Sequence, residues 1–563
     1  MECRLGRVVA VVGARVSGHL QADLDPEIME AIQVGGLLKI CTRVSTVYGM
    51  VSALRLSDQN VRDDPVCMVD IDLLGEVLIP TVEEGRAEPG RGASEHTAVA
   101  EFRRGVSIYP GLGAGIHALT SSDLALVYAQ PQSSSFTIGA VYHDPSIPAR
   151  VATDRLLGKH FAILGTTGSG KSCAVALMLR SILENYPNGH VVLLDPHNEY
   201  AHAFGGVAEL IDTSNLELPY WMMNFEELAA TFVSRDGSDR QAEAEILKEA
   251  VLQARRRFLG EDADASFVSV DTPVPFRMSQ AERIILDMMG KLDKVDSARP
   301  YLRLVARMQA LQNDRRFAFL FSGLVVRDSM TDVLSRLLRM PVAGRPVTVF
   351  DLSGVPSEIV EVVVSLMCRT IFDFAVWSRR ATAVPVLLVC EEAHRYVPQD
   401  ERRGFEPTRR AIARIAKEGR KYGVSLCLVS QRPSELSTTI LSQCNTLFSL
   451  RLTNDHDKAF VQAALPEAAG GLVAALPTLQ SQEAVVVGDG VSLPMRIRFR
   501  DLDEAHRPQS ATAAFSASWA EDCGSGGDRA QVRETVENWR RQQMFCAGFT
   551  LSAARRERQG ALA

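Results

Sequence analysis

The sequence predicts an α/β fold: a P-loop nucleotide-binding core with a mainly parallel sheet, an N-terminal small β-barrel and a helical insertion. Three observations predict it. A glycine-rich phosphate-loop motif, Gly165–Ser172, lies between an apolar run and a helical pattern. Compact apolar runs at Phe161–Leu164, Val191–Leu194, Val347–Leu352, Pro385–Cys390 and Val424–Ser430 alternate with helical material, as fully buried parallel strands do. The first 142 residues instead hold short strand-like segments at regular spacing with little helical period.

Each element follows in order. Arg7–Val16 alternates and breaks at Gly13, Leu38–Leu56 is rich in Val, Thr and Tyr, and Val66–Ile79 follows, so residues 1–142 are expected to form the barrel. Glu84–Glu95, rich in Gly, Glu and Arg, reads as a surface loop. His143–Arg150, with two prolines, reads as the linker into the next domain, the α/β core expected over 143–215 and 341–510. Between them, 216–340 is expected to be a helical insertion, with helices at Asp239–Phe258 and Ser297–Asn313. Glu483–Arg500 reads as two short strands. In the tail, 511–563, Cys523–Asp528 reads as a flexible break before a helix at Arg529–Met544.

Composition narrows the classes. The 563 residues suffice for about three or four folding units. Hydrophobic residues at 46% and charged residues at 23% exclude disorder as the main state. A net charge of −7 supplies no bulk positive field, so any nucleic-acid contact must rest on local basic clusters. Every apolar run falls far short of the roughly 20 residues of a membrane span, and Met1–Arg7 leads straight into a strand pattern, so neither a membrane anchor nor a signal peptide is expected. Ten cysteines without a CxxC pair suggest reduced, mostly buried thiols in a cytoplasmic protein.

The strongest chemical signal is Gly165-Thr166-Thr167-Gly168-Ser169-Gly170-Lys171-Ser172 followed by Cys173. Glycines let the backbone wrap a phosphate, and successive N–H groups with the helix N-terminus stabilise the anion. Lys171 is expected to reach the β and γ phosphates of ATP, and the Ser172 hydroxyl to ligate Mg²⁺.

A second site is Val386–Glu392, a buried strand that ends in two carboxylates. Glu391 stands where an Asp usually sits, so its longer arm is expected to meet the metal, through water if need be. Glu392 is the expected base that polarises the attacking water. Asp195 and Glu199, in Asp195–Tyr200, end another strand and are placed with the nucleotide; turn formation and helix capping are the plainer reading. Gln431, directly after Val424–Ser430, is expected to sense the γ phosphate, although it is also an ordinary strand-ending polar residue.

As a helix, Thr408–Tyr422 carries Arg410, Arg414, Lys417 and Lys421 in one basic stripe. Such a stripe is either a solvated face or a surface that meets an anion, a neighbour's nucleotide or a phosphate backbone. Arg402 and Arg403 raise the same question.

Together GTTGSGKS, DPHNEY, CEEAHRYVP, IAKEGRKYGVSLCLVSQRPSEL and LSQCNTLFSLRLTND, in this order, resemble the HerA family of the FtsK–HerA ATPases, as does the run Leu157–His160 before the phosphate loop. The resemblance covers nearly the whole chain and suggests a bacterial member. It implies a RecA-like core with an additional catalytic glutamate, a HAS-barrel at the amino end, and a homo-hexameric ring that moves double-stranded DNA through its pore. It also implies a partner on the barrel side: a nuclease such as NurA, or a sirtuin-type or nuclease effector of antiviral defence. Arg420, in EGRKYG, matches the family's arginine finger, acting across the subunit interface. Glu391 in place of Asp is a departure that bears on direct metal ligation.

The reading is therefore an ATP-hydrolysing DNA translocase serving DNA end processing or antiviral defence. One alternative is an ATP-gated ring scaffold that activates an effector without sustained translocation. The other is a plain P-loop kinase or GTPase, disfavoured because neither an acceptor-substrate motif nor an NKxD-like motif is present.

Overall fold

The computed structural model describes residues 4–21, 24, 29, 32–57, 66–79, 101–129, 134–216, 218–234, 238–260, 264–290, 295–321, 326–378, 383–464, 470–509, 516, 519 and 524–541. The Glu84–Glu95 loop, Cys523 and the end of the terminal helix at Met544 lie outside these residues. The chain divides into two compact units, Met1–Asn185 with Cys427–Asp501 and Tyr186–Leu426 with Leu502–Ala563.

The first unit opens with strands β1 (Arg4–Val12), β2 (Arg15–Leu20), β3 (Leu37–Cys41), β4 (Ser45–Ser57), β5 (Val66–Leu78), β6 (Phe102–Arg104) and β7 (Gly115–Ala118). They run in the order β2-β1-β7-β3-β4-β5, β2 also pairs with β5, and β6 is appended to β5. This closure makes a six-stranded antiparallel barrel and removes its free edges. Gly13, at φ +57°, makes the turn between β1 and β2. Leu5, Val16, Ile40, Val47, Val69, Ile71 and Ile116 fill the barrel with almost no exposed surface; Val69 and Ile71, two apart on β5, share its inward face.

In chain order the remaining strands are β8 (Ser135–Val141), β9 (Asp144–Ala152), β10 (His160–Leu164), β11 (Val191–Asp195), β12 (Ala208–Ile211), β13 (Val347–Asp351), β14 (Val386–Cys390), β15 (Val424–Ser430), β16 (Cys444–Ser449), β17 (Glu483–Gly488) and β18 (Met495–Phe499). In the first unit β10 pairs in parallel with β15 and β16, aligning Leu164 with Ser430 and Ser449. Beyond β16 the sheet continues antiparallel through β17, β18, β8 and β9. Two expectations are corrected here. His143–Arg150 is not a linker: it lies largely within β9, because Pro145 and Pro148 sit on a terminal strand that tolerates missing donors. Ser135–Val141, read with the barrel, pairs instead with β18 and β9.

Arg104, on β6, fastens the barrel to the β17–β18 turn. It donates to the carbonyls of Ser492 (2.6 Å), Gly488 (2.7 Å) and Val491, and lies 3.5 Å from Asp489, which also pairs with Lys159.

The second unit holds a fully parallel set in the order β12-β13-β11-β14. Every residue of β11, β13 and β14 is buried, which is why these strands read as unbroken apolar runs. Between β12 and β13 the chain is mainly helical, including Phe225–Phe232, Arg240–Leu259, Met278–Met289, Val295–Asn313 and Met330–Leu338. Arg255, wholly buried, holds this region by donating to the carbonyls of Trp221 and Met223 (both 3.0 Å) and of Thr272. Glu227, also wholly buried, accepts from Arg369 (2.9 Å) and Ser365 (2.8 Å) on helix Val360–Trp377. The expected break at Cys523–Asp528 is corrected too: a helix starts at Gly524 and runs to Arg541, the glycines entering its first turn.

Candidate functional site

In the first unit β10 delivers the chain to the phosphate loop, and the helix Lys171–Asn185 starts where the loop ends. Gly165 N donates to Ser430 O at 3.2 Å. Thr166 donates twice to Arg451 O, from its N at 3.0 Å and from Oγ1 at 3.1 Å, so the loop is pinned to the chain that follows β16. Ser169, almost fully buried, closes the turn through Oγ to Thr166 O at 2.7 Å, and Lys171 Nζ reaches the same oxygen at 3.4 Å.

The glycines have separate reasons. A Cβ on Gly165 would stand 2.6 Å from Ser169 Oγ and 2.8 Å from Leu450 Cβ. Gly168 and Gly170 have φ of +76° and +93°, with open space where a Cβ would be. Gly165, Thr166 and Ser169 spend their N–H groups on protein carbonyls, while the open backbone at Gly168 and Gly170 fits a polyphosphate. Ser172 is half-buried and Cys173 exposed on the helix's first turn. Gln431 belongs to the same neighbourhood, since Thr167 Oγ1 donates to its Oε1.

In the second unit the parallel register aligns carboxylates at the strand ends. Asp195 ends β11 opposite Asp351, which ends β13, and Leu194 is opposite Cys390, the residue before Glu391. Asp195 is fully buried; Tyr200 N and His197 N donate to it at 2.9 and 3.2 Å. Burial, reinforced by the charge of Asp351, pushes its carboxyl up to about 6 against those hydrogen bonds. Burial raises the Asp351 carboxyl as well. Asp351 escaped the sequence reading, although a buried run ending in Asp, as at Val191–Asp195, was its signal. Glu199 is half-buried, and its carbonyl accepts from Gln509 N at 3.0 Å.

Glu391 N continues the ladder to Leu194 O at 3.3 Å, and both Glu391 and Glu392 are more than nine-tenths buried. Glu392 adopts the left-handed conformation, φ +52° and ψ 43°. That is unusual for a residue with a side chain and typical of a functionally constrained position. His394 Nδ1 lies 3.2 Å from Glu392 Oε2. Among the described residues no group of three or more His, Cys, Asp or Glu is arranged to hold a metal by itself.

The basic stripe is resolved into two halves. Arg410 pairs with Glu226 (2.7 Å) and Glu406 (2.6 Å), and Arg414 pairs with Asp373 (3.4 Å) and lies over the Phe372 ring. Those two arginines serve their own unit. Lys417, Arg420 and Lys421, on helix Glu406–Tyr422, are exposed and make no ion pair among the described residues. Arg402 and Arg403 are exposed as well, the latter 3.7 Å from Asp400. Of the seven described cysteines, Cys368, Cys390, Cys427 and Cys444 are buried and Cys173 is exposed.

The first unit carries a phosphate loop between a buried parallel strand and a helix, and the second carries buried carboxylates at the ends of its own parallel strands; these are the parts of a P-loop ATPase. The family model for the central domain of helicase HerA matches residues 136–371. The DNA double-strand break repair helicase HerA of Pyrococcus furiosus is 26% identical over 437 residues, covering 71% of this chain and 74% of its own. That of Saccharolobus solfataricus is 25% identical over 478 residues, covering 82% and 87%. Over most of its length the chain is similar to members of the HerA family. Among solved structures, VirB4 of Thermoanaerobacter pseudethanolicus is similar over 67% of this chain and 98% of its own, with a TM-score of 0.46 and 18% identity. No helix among the described residues is long and apolar enough to cross a membrane.

Proposed function

We propose that this chain is the subunit of a homo-hexameric ring that hydrolyses ATP to move double-stranded DNA, in the cytoplasm and together with a nuclease or a defence effector docked on its barrel. The observation that carries the hydrolytic part is the buried Glu391–Glu392 pair at the end of β14, in a chain that also carries an intact phosphate loop. The DNA part rests on the relatives, which are named DNA double-strand break repair helicases. The barrel segment holds none of the phosphate-binding or acidic-pair motifs, which supports a docking role for it.

In this reading residues Gly165–Cys173 bind the nucleotide and Lys171 clamps its β and γ phosphates. Ser172 and Glu391 would hold Mg²⁺, which neutralises charge on the phosphate oxygens. Glu392 takes a proton from water as the water oxygen attacks the γ phosphorus; the bond to the β–γ bridging oxygen breaks and ADP leaves. Gln431 senses the γ phosphate, Asp195 and Glu199 line the nucleotide side, and Arg420 acts on a neighbour's nucleotide.

Steady-state hydrolysis by the full chain, with and without duplex DNA, tests the proposal. Stimulation by DNA is expected, with Lys171→Ala losing nucleotide binding and Glu392→Gln binding ATP while barely turning it over. Turnover that ignores DNA and responds only to a partner protein would favour the ring scaffold. Near-wild-type turnover in Glu392→Gln would remove it as the base.

A further inference from the structure

We propose that His394 is a positioning residue for Glu392: its Nδ1 holds Oε2 of the carboxylate, leaving Oε1 to face the attacking water. The inference rests on the reading of Glu392 as the water-activating base, and it adds a residue to which no role has been given.

The geometry begins with the backbone. Glu392, in its left-handed conformation, immediately precedes the short helical turn Ala393–Arg395, which carries His394. That turn is closed by Arg395 N to Glu392 O at 2.9 Å, and its exit by Tyr396 N and Val397 N to Ala393 O at 3.0 and 2.9 Å. The imidazole and the carboxylate are therefore borne by one small hydrogen-bonded turn, with little freedom to separate. Both side chains are largely out of water, at 9% exposure for Glu392 and 11% for His394.

A buried carboxylate oxygen requires a donor, since leaving one unmet costs about 1–3 kcal/mol. Oε2 of Glu392 has no aligned hydrogen bond among the described residues, yet His394 Nδ1 is 3.2 Å away. Catalytic hydrogen bonds are commonly loose without substrate and tighten in the substrate complex. The left-handed backbone gives a reason for the strain: it turns Glu392 off the direction of β14, and a carboxylate so displaced needs a second support to stay in register with the water. Lone-pair direction matters at this step, because misplacement of a catalytic group by about 1 Å can cost 10²-fold.

The test compares His394→Phe, which keeps ring volume but has no donor, with His394→Asn, whose Nδ2 can take the place of Nδ1. Full-length variants are assayed for kcat, for KM and for affinity toward a fluorescent ATP analogue, with thermal melts to verify folding. His394→Ala replaces the Phe variant if that does not fold. The expected result is a kcat about 10- to 100-fold lower for Phe, at nucleotide affinity within about twofold of wild type, and recovery of most of the loss in Asn. In a Glu392→Gln background, adding His394→Phe should change residual turnover by less than about twofold, since the two groups act as a unit. A kcat unchanged in Phe, or a loss in Asn as deep as in Phe, overturns the inference. So does a full further loss in the Glu392→Gln background. Near-wild-type turnover in Glu392→Gln would instead overturn the reading of Glu392 itself, and this inference with it.

Discussion

Thr167, at the tip of the phosphate loop, donates its hydroxyl hydrogen to Oε1 of Gln431, the residue that follows β15. The side chain proposed to sense the γ phosphate is thus held by the loop that would receive that phosphate. For Gln431 to turn to the nucleotide, this hydrogen bond must break.

Thr167→Val keeps the shape of the side chain and removes the restraint. A net hydrogen bond is worth about 0.5–1.5 kcal/mol, so ATP affinity is expected to rise by up to about tenfold while ADP affinity changes less. Titration with the two nucleotides measures the difference. Equal shifts for ATP and ADP would show that the bond does not oppose γ-phosphate sensing.

Gly165 is the glycine of the loop that steric closeness demands. Its absent Cβ would meet Ser169 Oγ at 2.6 Å and Leu450 Cβ at 2.8 Å, and Leu450 N is itself bonded to Leu164 O at 2.8 Å. Neither neighbour can withdraw freely. Gly165→Ala should lower stability by about 1–3 kcal/mol and weaken nucleotide binding, because the loop must open to admit the methyl group. Gly206→Ala, with nothing within 4 Å of its Cβ and an ordinary φ, is the control that should leave binding unchanged. A denaturation series with both variants checks the contrast.

Asp195 carries a pH signature. Burial pushes its carboxyl up to about 6 in the fold, against about 3.9 in an unfolded chain. Between these values the folded state keeps a proton that the unfolded state has released. Stability should therefore fall as pH rises from about 4 through 6 and change no further above that. The slope is up to about 1.4 kcal/mol per pH unit for this one group. Asp195→Asn cannot ionise and lacks this contribution; the residual slope collects the other shifted carboxyls, among them Asp351 raised in the same direction and Asp123 and Glu209 lowered in the opposite one. Unfolding curves at pH 4.5, 6 and 8 for both chains decide it, and parallel pH dependences would refute the assignment.

The parts legible in the sequence were those set by local pattern. Unbroken apolar runs gave away β10, β11, β13, β14 and β15, because strands covered on both faces have no polar side to confuse with a turn. The phosphate loop was readable because its glycines answer to backbone geometry. What was not legible depended on partners distant in sequence. β9 contains two prolines and was read as a linker; only its place at the end of the sheet, where donors are not needed, makes it a strand. Arg410 and Arg414 looked like half of an anion-binding stripe until Glu226 and Asp373, 184 and 41 residues away, were seen to neutralise them. The left-handed backbone of Glu392 leaves no mark in composition, since glutamate has no preference for that conformation.

That neutralisation narrows the surface available for action on a second subunit. On helix Glu406–Tyr422, Arg420 is exposed near the C-terminus, where Gly423 ends the helix at φ +79°, and it makes no ion pair among the described residues. An arginine that stabilises charge on a neighbour's γ phosphate works only in an assembly, and such a residue is worth about 10³–10⁵ in rate. Arg420→Ala should therefore lose hydrolysis by at least about 10³-fold while its oligomeric state, read by light scattering, stays that of the wild type. Arg414→Ala, by contrast, should mainly cost stability, since Asp373 and Phe372 hold it within its own unit. Mixing provides the sharper measurement. Arg420→Ala keeps an intact phosphate loop and Lys171→Ala keeps an intact arginine, so some interfaces in mixed rings pair the two working parts. Activity should then reappear in mixtures of two inactive proteins and peak at intermediate ratios. If subunit exchange is demonstrated by energy transfer between labelled chains and activity stays absent at every ratio, Arg420 does not act across the interface.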